Sequence, residues 1–389
     1  MNETALRVRE KFLKLFKENP LIVRSPGRIN LIGEHTDYNM GFVLPAAIDK
    51  SIYFALTPRD DNNCFLHAFD LNDSYQHQVS NIEYQEKRWA NYLLGVIDQL
   101  KIFGYNISGF NCVFGGNIPI GAGLSSSAAI EAGLAFSLNH IFNLGIEKLE
   151  LVKLSQKAEN QFVGVNCGIM DQFINIFGKA SKVIKIDCRS LDYTYYPFDN
   201  NNFKIVLVNT LIHHSLASSE YNSRRMQCES GVKILQNYFP NVKSLRDITS
   251  SSLNQVEAKF DKIIYNRCKY IVDEIERVNF ACRDLINNDF LSFGKKMYET
   301  HFGLSKDYEV SCSELDYLVD QTVEKDYVFG ARMMGGGFGG CTLNLVASDC
   351  INEFEKEIVY EYKKKYSLIP EIYVCEIANG TNIISDTSN

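Results

Sequence analysis

One tryptophan, eight prolines and no two cysteines closer than nine positions mark this 389-residue sequence by what it withholds. The cysteine spacing leaves no CxxC for a zinc site or a dithiol. Few prolines, 46% hydrophobic and 22% charged residues exclude collagen-like and disordered classes. No apolar run is long enough to cross a bilayer. The most apolar stretch, residues 124–142, carries Glu131, Asn139 and His140 and reads as a buried helix. Positive charge is in deficit: 40 Lys and Arg against 47 Asp and Glu give a net charge of −7. That balance argues against nucleic-acid or membrane-surface partners and leaves room for a local basic site holding one phosphate group. The opening MNETALRVREKFLKLF lacks the apolar core of a secretory signal. With eleven unpatterned cysteines, the expectation is a cytoplasmic protein with reduced thiols packed as small apolar groups.

What is present is an alternation of short β-rich runs and helical patterns, in a length suited to two domains. Strands are expected near residues 21–24, 51–57, 65–69, 110–114, 183–187, 203–209, 342–347 and 372–377. Val8, Phe12, Leu15 and Phe16 mark one face of a short first helix. A longer helix opens at Ser125, Ser126 and Ser127, passes through Ile130, Leu134, Leu138 and Ile141, and stops near Gly145. Further helices are expected over residues 147–162, 221–237, 262–279 and 282–300. The polar DNNN at 199–202 is the best boundary, dividing the chain into residues 1–200 and 201–389.

Three stretches carry chemistry. RSPGRINLIGEHTD, residues 24–37, gathers Arg28, Glu34, His35 and Asp37 around an apolar segment. Two carboxylates and a His suit several sugar hydroxyls, because carboxylates accept and His does either; the plainer alternative is a solvated loop with an ion pair. PIGAGLSSSA, residues 119–128, places Gly121, Ala122, Gly123, Leu124, Ser125, Ser126 and Ser127 at a helix start. There the glycines allow close approach and the free N–H groups favour an anion. A Gly-rich turn with a Ser cap is its alternative, and no GxxxxGK[ST] occurs anywhere. GGGFGG, residues 335–340, contains GxGxxG but precedes a strand instead of opening a helix. It therefore fits a loop packed on a ligand or another backbone better than a dinucleotide site. Between these stretches, a cradle Ser and a carboxylate such as Glu159 would suffice for a nucleotide-bound Mg²⁺. Asp171 follows Gly168 in an apolar context, where a carboxylate is either a helix cap or functional. His213 and His214 lack a third ligand at suitable spacing and are read as structural.

In this order the stretches resemble the three motifs of the GHMP small-molecule kinases. GRINLIGEHTDY is similar to the signature of the galactokinase branch. The likeness continues through AENQFVGVNCGIMDQF, HHSLASSEYNSRRMQCE, DYEVSCSELDYLV and MMGGGFGGCTLNLV, covering about residues 20 to 380; Ser25, where Ala is common, departs from it. The resemblance implies a two-domain α/β architecture of the α+β type with the active site in the cleft between domains. It also implies ATP-dependent phosphorylation of the C1 hydroxyl of galactose, the first committed step of galactose catabolism. By resemblance Asp171 matches the catalytic base and Arg28 the residue that stabilises charge on the transferring group. Glu34, His35, Thr36, Asp37, Gly168 and Tyr221 match the sugar site, residues 121–127 the ATP phosphate loop, and Ser127 and Glu159 the magnesium ligands. Three rivals stand beside this reading: a kinase for another sugar such as N-acetylgalactosamine, a sensor that binds sugar and ATP without turnover, and, more distantly, a dinucleotide enzyme.

Overall fold

The computed structural model describes residues 1–119, 121–198, 202–213 and 217–385. Asp199, Asn200 and Asn201 of the expected boundary, and His214, lie outside the described residues. A six-stranded sheet runs in the order Asn382–Ser385, Leu21–Asn30, Pro45–Pro58, Phe110–Gly116, Asn63–Ala68, Asp73–Gln78. A four-stranded antiparallel sheet has the order Val328–Met333, Gly339–Ala347, Phe203–His213, Glu371–Cys375. A small third sheet joins Phe42–Val43, Lys182–Asp187 and Tyr193–Pro197. Among the described residues only Asn63–Ala68 and Phe110–Gly116 pair in parallel. The predominantly antiparallel pairing agrees with the α+β expectation.

Each expected strand has a counterpart, but the strands that frame the cleft run longer. The first reaches from Leu21 through the Pro-Gly turn to Asn30. It does so because its pairing with Pro45–Pro58 slips between Pro26 and Arg28, a bulge that absorbs the proline and re-aims the next side chain. The helices expected at 262–279 and 282–300 are divided differently: Lys262–Ile286 is continuous and Phe290–Phe302 follows. Ala281, Cys282 and Leu285 extend the buried stripe, so nothing breaks the chain at 280. The break falls where Asn288 takes φ 56° and Asp289 caps the next helix through Ser292 N. In the first helix, Val8 and Phe12 are buried, but Leu15 in the last turn is exposed, because the helix ends at Phe16. Elements that the sequence pattern does not mark include the helices Arg88–Ile102, Ser313–Asp320 and Ile351–Tyr366 and the strand Val328–Met333.

Residues 124–142 do form a buried helix, Ser126–Ile141, with Glu131 fully enclosed. Among the described residues no helix is long and apolar enough to cross a membrane. All eleven cysteines are unpaired. The glycine-rich segment is the bend of a hairpin between Val328–Met333 and Gly339–Ala347. It packs against the 121–127 loop: a Cβ on Gly335 would stand 3.3 Å from Gly123 O. This is the backbone-on-backbone packing expected of it, not a dinucleotide turn.

Candidate active site

Arg28 enters the site from the bulge. A Cβ on Gly27 would stand 3.0 Å from Leu124 O, so the absence of a side chain lets the strand approach the 121–127 loop closely. Arg28 N then donates to Leu124 O at 3.2 Å. The guanidinium forks onto Asp171, with Nε to Oδ1 at 2.8 Å and Nη2 to Oδ2 at 2.9 Å, and its Nη1 donates to Gly123 O. Burial alone lowers an arginine pKa, yet Asp171 outweighs it and holds Arg28 above its usual value. Asp171 occupies the first turn of Met170–Phe177 and does not cap it; the cap position is Ile169. Ser125 Oγ also donates to Asp171 Oδ2.

The loop after the first strand is shaped by two left-handed residues, Gly33 (φ 101°) and His35 (φ 63°). Thr36 Oγ1 donates to Gly33 O and Phe42 O, so it ties the loop together from the inside. Glu34 accepts from Asn30 Nδ2 and Gly335 N, each at 2.6 Å, and lies 2.6 Å from Arg332 Nη2. His35 Nδ1 lies 2.7 Å from Tyr38 Oη, and the His35 ring packs among Tyr38, Tyr221 and Tyr308. Burial pushes its pKa down to about 4 despite Glu34 nearby, so His35 is neutral near pH 7. Asp37 opens a 3-10 turn, Asp37–Asn39. Enclosure, reinforced by the Asp171 charge, pushes its carboxyl up to about 7. Gly168 makes that position available: a Cβ there would stand 1.7 Å from Asp37 Oδ2.

These side chains meet around one cavity of about 270 Å³, lined by Arg28, Glu34, His35, Asp37, Glu159, Val165, Cys167, Gly168, Met170, Asp171, Tyr221, Gly335 and Gly336. Of the residues expected at the sugar site, Thr36 alone is not in the lining. At the other end, Ala122 and Leu124 are buried, Gly121 and Gly123 are exposed, and Ser125, Ser126 and Ser127 are half-buried. Gly121, Gly123 and Ser125 have φ of 75°, 73° and 57°. No side chain caps the helix Ser126–Ile141, whose first internal bond is Ala129 N to Ser125 O. Its leading N–H groups are thus free for an anion.

Glu159 sits in the π-helical turn Ala158–Val163 that extends Lys148–Lys157, a distortion that re-aims a side chain. Its carboxylate accepts from Ser127, Gln172 and Cys167. Burial raises its pKa, as it does more strongly for Glu131 beside it. Glu131 Oε1 is buried without a partner. Among the described residues no cluster of three or more His, Cys, Asp or Glu is arranged as a metal cage; a nucleotide-borne cation needs fewer protein oxygens than that.

Three family descriptions match the chain: "Galactokinase galactose-binding signature" over residues 10–58, "GHMP kinases N terminal domain" over 91–179 and "GHMP kinases C terminal" over 281–357. The galactokinase of Clostridium beijerinckii is 42% identical across 97% of this chain and 98% of its own length. The chain belongs to the galactokinase family. It is therefore an ATP-dependent sugar kinase of the GHMP class. The galactokinase of Thermotoga maritima is 38% identical over 93% of this chain and 99% of its own length. The crystal structure of Lactococcus lactis galactokinase complexed with galactose superposes with a TM-score of 0.94 at 35% identity, covering 97% and 99% of the two chains. A mevalonate kinase shares the fold, with a TM-score of 0.62 at 21% identity over 92% and 99%.

Several residues that build this site are not marked in the sequence. Cys167, Val165 and Met170 line the cavity, where the expected glycine-rich loop joins them at Gly335 and Gly336. Asn30 and Arg332 hold Glu34. Arg332 had a legible signal: a charge inside the apolar VFGARM strand needs a buried partner. Nothing local marks Cys167.

Proposed function

We propose that the chain transfers the γ-phosphoryl group of ATP to the C1 hydroxyl of D-galactose, giving galactose 1-phosphate and ADP. The observation that carries this reading is the forked Arg28–Asp171 pair, set in a carboxylate-lined cavity beside an uncapped helix N-terminus. Such transfer needs alignment, charge neutralisation and a path for one proton. The O1–Pγ bond forms, the bond from Pγ to the β–γ bridging oxygen breaks, and the C1 hydroxyl proton passes to Asp171. Oδ2 already accepts from Arg28 and Ser125, whereas Oδ1 accepts from Arg28 alone. Oδ1 is therefore the oxygen with acceptor capacity to spare. Arg28 orients the carboxylate and adds fixed positive charge next to the transferring group.

The 121–127 loop and the N–H groups of residues 126–128 hold the ATP phosphates. Asp37 faces the C3 and C4 hydroxyls, Tyr221 the C4 hydroxyl, Glu34 and His35 the C6 end, and Gly168 leaves room for Asp37. Ser127 and Glu159 fit a nucleotide-bound Mg²⁺: they are hard oxygen donors already in contact, with the unpartnered Glu131 oxygen behind them. Such an ion, when bound, neutralises phosphate charge. The division near residue 200 into two domains is part of the same proposal, supported by the second sheet starting at Phe203, though the last strand returns to the first sheet. Eleven free thiols support a cytoplasmic setting.

The deciding experiment follows ADP formation with galactose, N-acetylgalactosamine, glucose and mevalonate, and identifies the product by phosphorus NMR. Galactose 1-phosphate is expected, with negligible turnover of glucose. Equal efficiency on glucose and galactose, or galactose binding without ADP release, overturns the reading.

A further inference from the structure

Arg332 is the largest fully buried side chain among the described residues, and its placement points to a task. The guanidinium spreads over three directions: Nε donates to Met333 O at 2.8 Å, Nη1 donates to Asn30 O at 3.1 Å, and Nη2 lies 2.6 Å from Glu34 Oε1. The last contact is off the N–H axis, so it is an ion pair and not an aligned hydrogen bond. Gly335 N donates to the same Glu34 oxygen. The other oxygen, Oε2, accepts from Asn30 Nδ2. Asn30 is fixed in turn, because its Oδ1 accepts from Leu44 N at 3.2 Å.

A carboxylate accepts about four hydrogen bonds. Gly335 and Asn30 take one place each, on Oε1 and Oε2, and the Arg332 guanidinium stands against Oε1. An acceptor position is left on Oε2, and Glu34 lines the cavity. A carboxylate held from three sides, with a buried guanidinium against it, cannot turn to follow a differently placed donor. Preorganised in this way, it rewards a hydroxyl at one position and leaves a donor-free substrate facing an unsatisfied buried acceptor.

We propose that Arg332 and Asn30 form a clamp that sets the Glu34 carboxylate and thereby the selectivity for a hydroxyl at C6 of the sugar. The clamp draws on both halves of the chain. Asn30 ends the first strand, whereas Arg332 and Gly335 come from the hairpin of the four-stranded sheet. Selectivity at C6 thus depends on the docking of two sheets as well as on the residue that touches the sugar. Arg332 is a positioning residue in this scheme. Lysine cannot replace it, because a single ammonium does not reach three diverging partners with fixed geometry.

The inference rests on the assignment of Glu34 to the C6 end, and the experiment separates the two. kcat/KM is measured for D-galactose and for 6-deoxy-D-galactose in the parent, Glu34→Gln, Arg332→Lys and Asn30→Ser, together with the KM for ATP and a thermal melt. Arg332→Lys and Asn30→Ser are expected to lower the galactose to 6-deoxygalactose ratio about tenfold, the scale of one charge-assisted hydrogen bond. The change should appear in the galactose KM, with kcat and the ATP KM within about twofold of the parent, as for a group that acts on sugar binding alone. If Glu34→Gln keeps the parent ratio, the C6 assignment itself is wrong. If Glu34→Gln collapses the ratio while the folded clamp variants keep it, or raise both KM values equally, the clamp is overturned. Should Arg332→Lys not fold, Asn30→Ser decides the question, since the shorter side chain withdraws the amide donor from Oε2 and leaves the guanidinium in place.

Discussion

The two ends of the cleft are built from different materials. At the end proposed for the sugar the chemistry lies in side chains, each held at several points: Glu34 by Asn30, Gly335 and Arg332, His35 among three tyrosines, and Asp37 over the space that Gly168 vacates. At the end proposed for the ATP phosphates it lies in backbone. Gly121, Gly123 and Ser125 take positive φ, Ala122 and Leu124 anchor the loop, and the helix offers uncapped N–H groups. Hydroxyls on a sugar ring differ by position and demand fixed, directional partners. A polyphosphate presents many equivalent oxygens, which a curved row of amides and a helix terminus satisfy. Changes at the sugar end should therefore alter specificity, and changes at the phosphate end nucleotide affinity. Asp171 and Arg28 join the two ends.

The joint should give the largest effect. Asp171→Asn is expected to lower turnover by about 10²-fold or more while ATP binding stays near parental. It also leaves the buried Arg28 guanidinium beside a neutral partner, so a lower melting temperature should accompany it. Parental turnover would remove Asp171 from the chemistry. Gly168→Ala comes next. Its methyl must displace the Asp37 carboxylate, so kcat/KM for galactose should fall at least about tenfold, the scale of a lost charged hydrogen bond, with the ATP KM unchanged. Steady-state kinetics with each substrate varied would reveal an effect on ATP instead, and the division between the two ends would then fail.

Glu159→Ala and Ser127→Ala should each weaken productive Mg²⁺-ATP use by several-fold, recovering in part at high magnesium. An unaltered magnesium titration in both variants removes these residues from the metal shell. A further test uses pH. Between its ordinary value of 3.8 and about 7, Asp37 is protonated in the folded chain and ionised in the unfolded one. The folded state binds the extra proton there, so the stability contribution is present below 3.8, falls as pH rises through the window and is level above about 7. Asp37→Asn should raise the melting temperature of the ligand-free protein at about pH 8 and make no difference near pH 4. The same variant should lose the rise of galactose kcat/KM through about pH 7. Thermal melts and a pH–rate profile check both limbs. Ser125→Gly should be mildest. Glycine relieves the left-handed strain, worth roughly 1–2 kcal/mol, and removes the hydroxyl that meets Asp171. A change of only a few-fold in the ATP KM is expected, with sugar selectivity kept; altered selectivity would show that the ends are not separate.

The contrast also marks what is legible without the fold. The phosphate loop is contiguous, and its signals are local: glycines at positions needing positive φ, then serines opening a long apolar stripe. RINLIGEHTD likewise displays its ionisable groups in one run. Thr36 shows the limit, since the resemblance puts it in the sugar set while its hydroxyl turns inward to Gly33 O and Phe42 O. The helix boundary at 287–289 escapes the sequence for a related reason. A buried stripe continues wherever packing rewards it, and only the Asn288–Asp289 backbone ends it.

Local sequence was enough for the inventory: an α+β chain in two parts, a glycine- and serine-rich helix start, a carboxylate-rich segment suited to a sugar, and the family these resemble. Those features are set by local φ preferences, period and residue chemistry, which act over a few positions. Tertiary structure alone decided which charge meets which. Arg28 reaches Asp171 across 143 positions because a bulge turns one strand toward a helix start. Glu34 draws its counter-charge from Arg332 because the hairpin of the second sheet docks against the end of the first strand. A buried charge must find a partner, but no local rule says from where along the chain that partner comes.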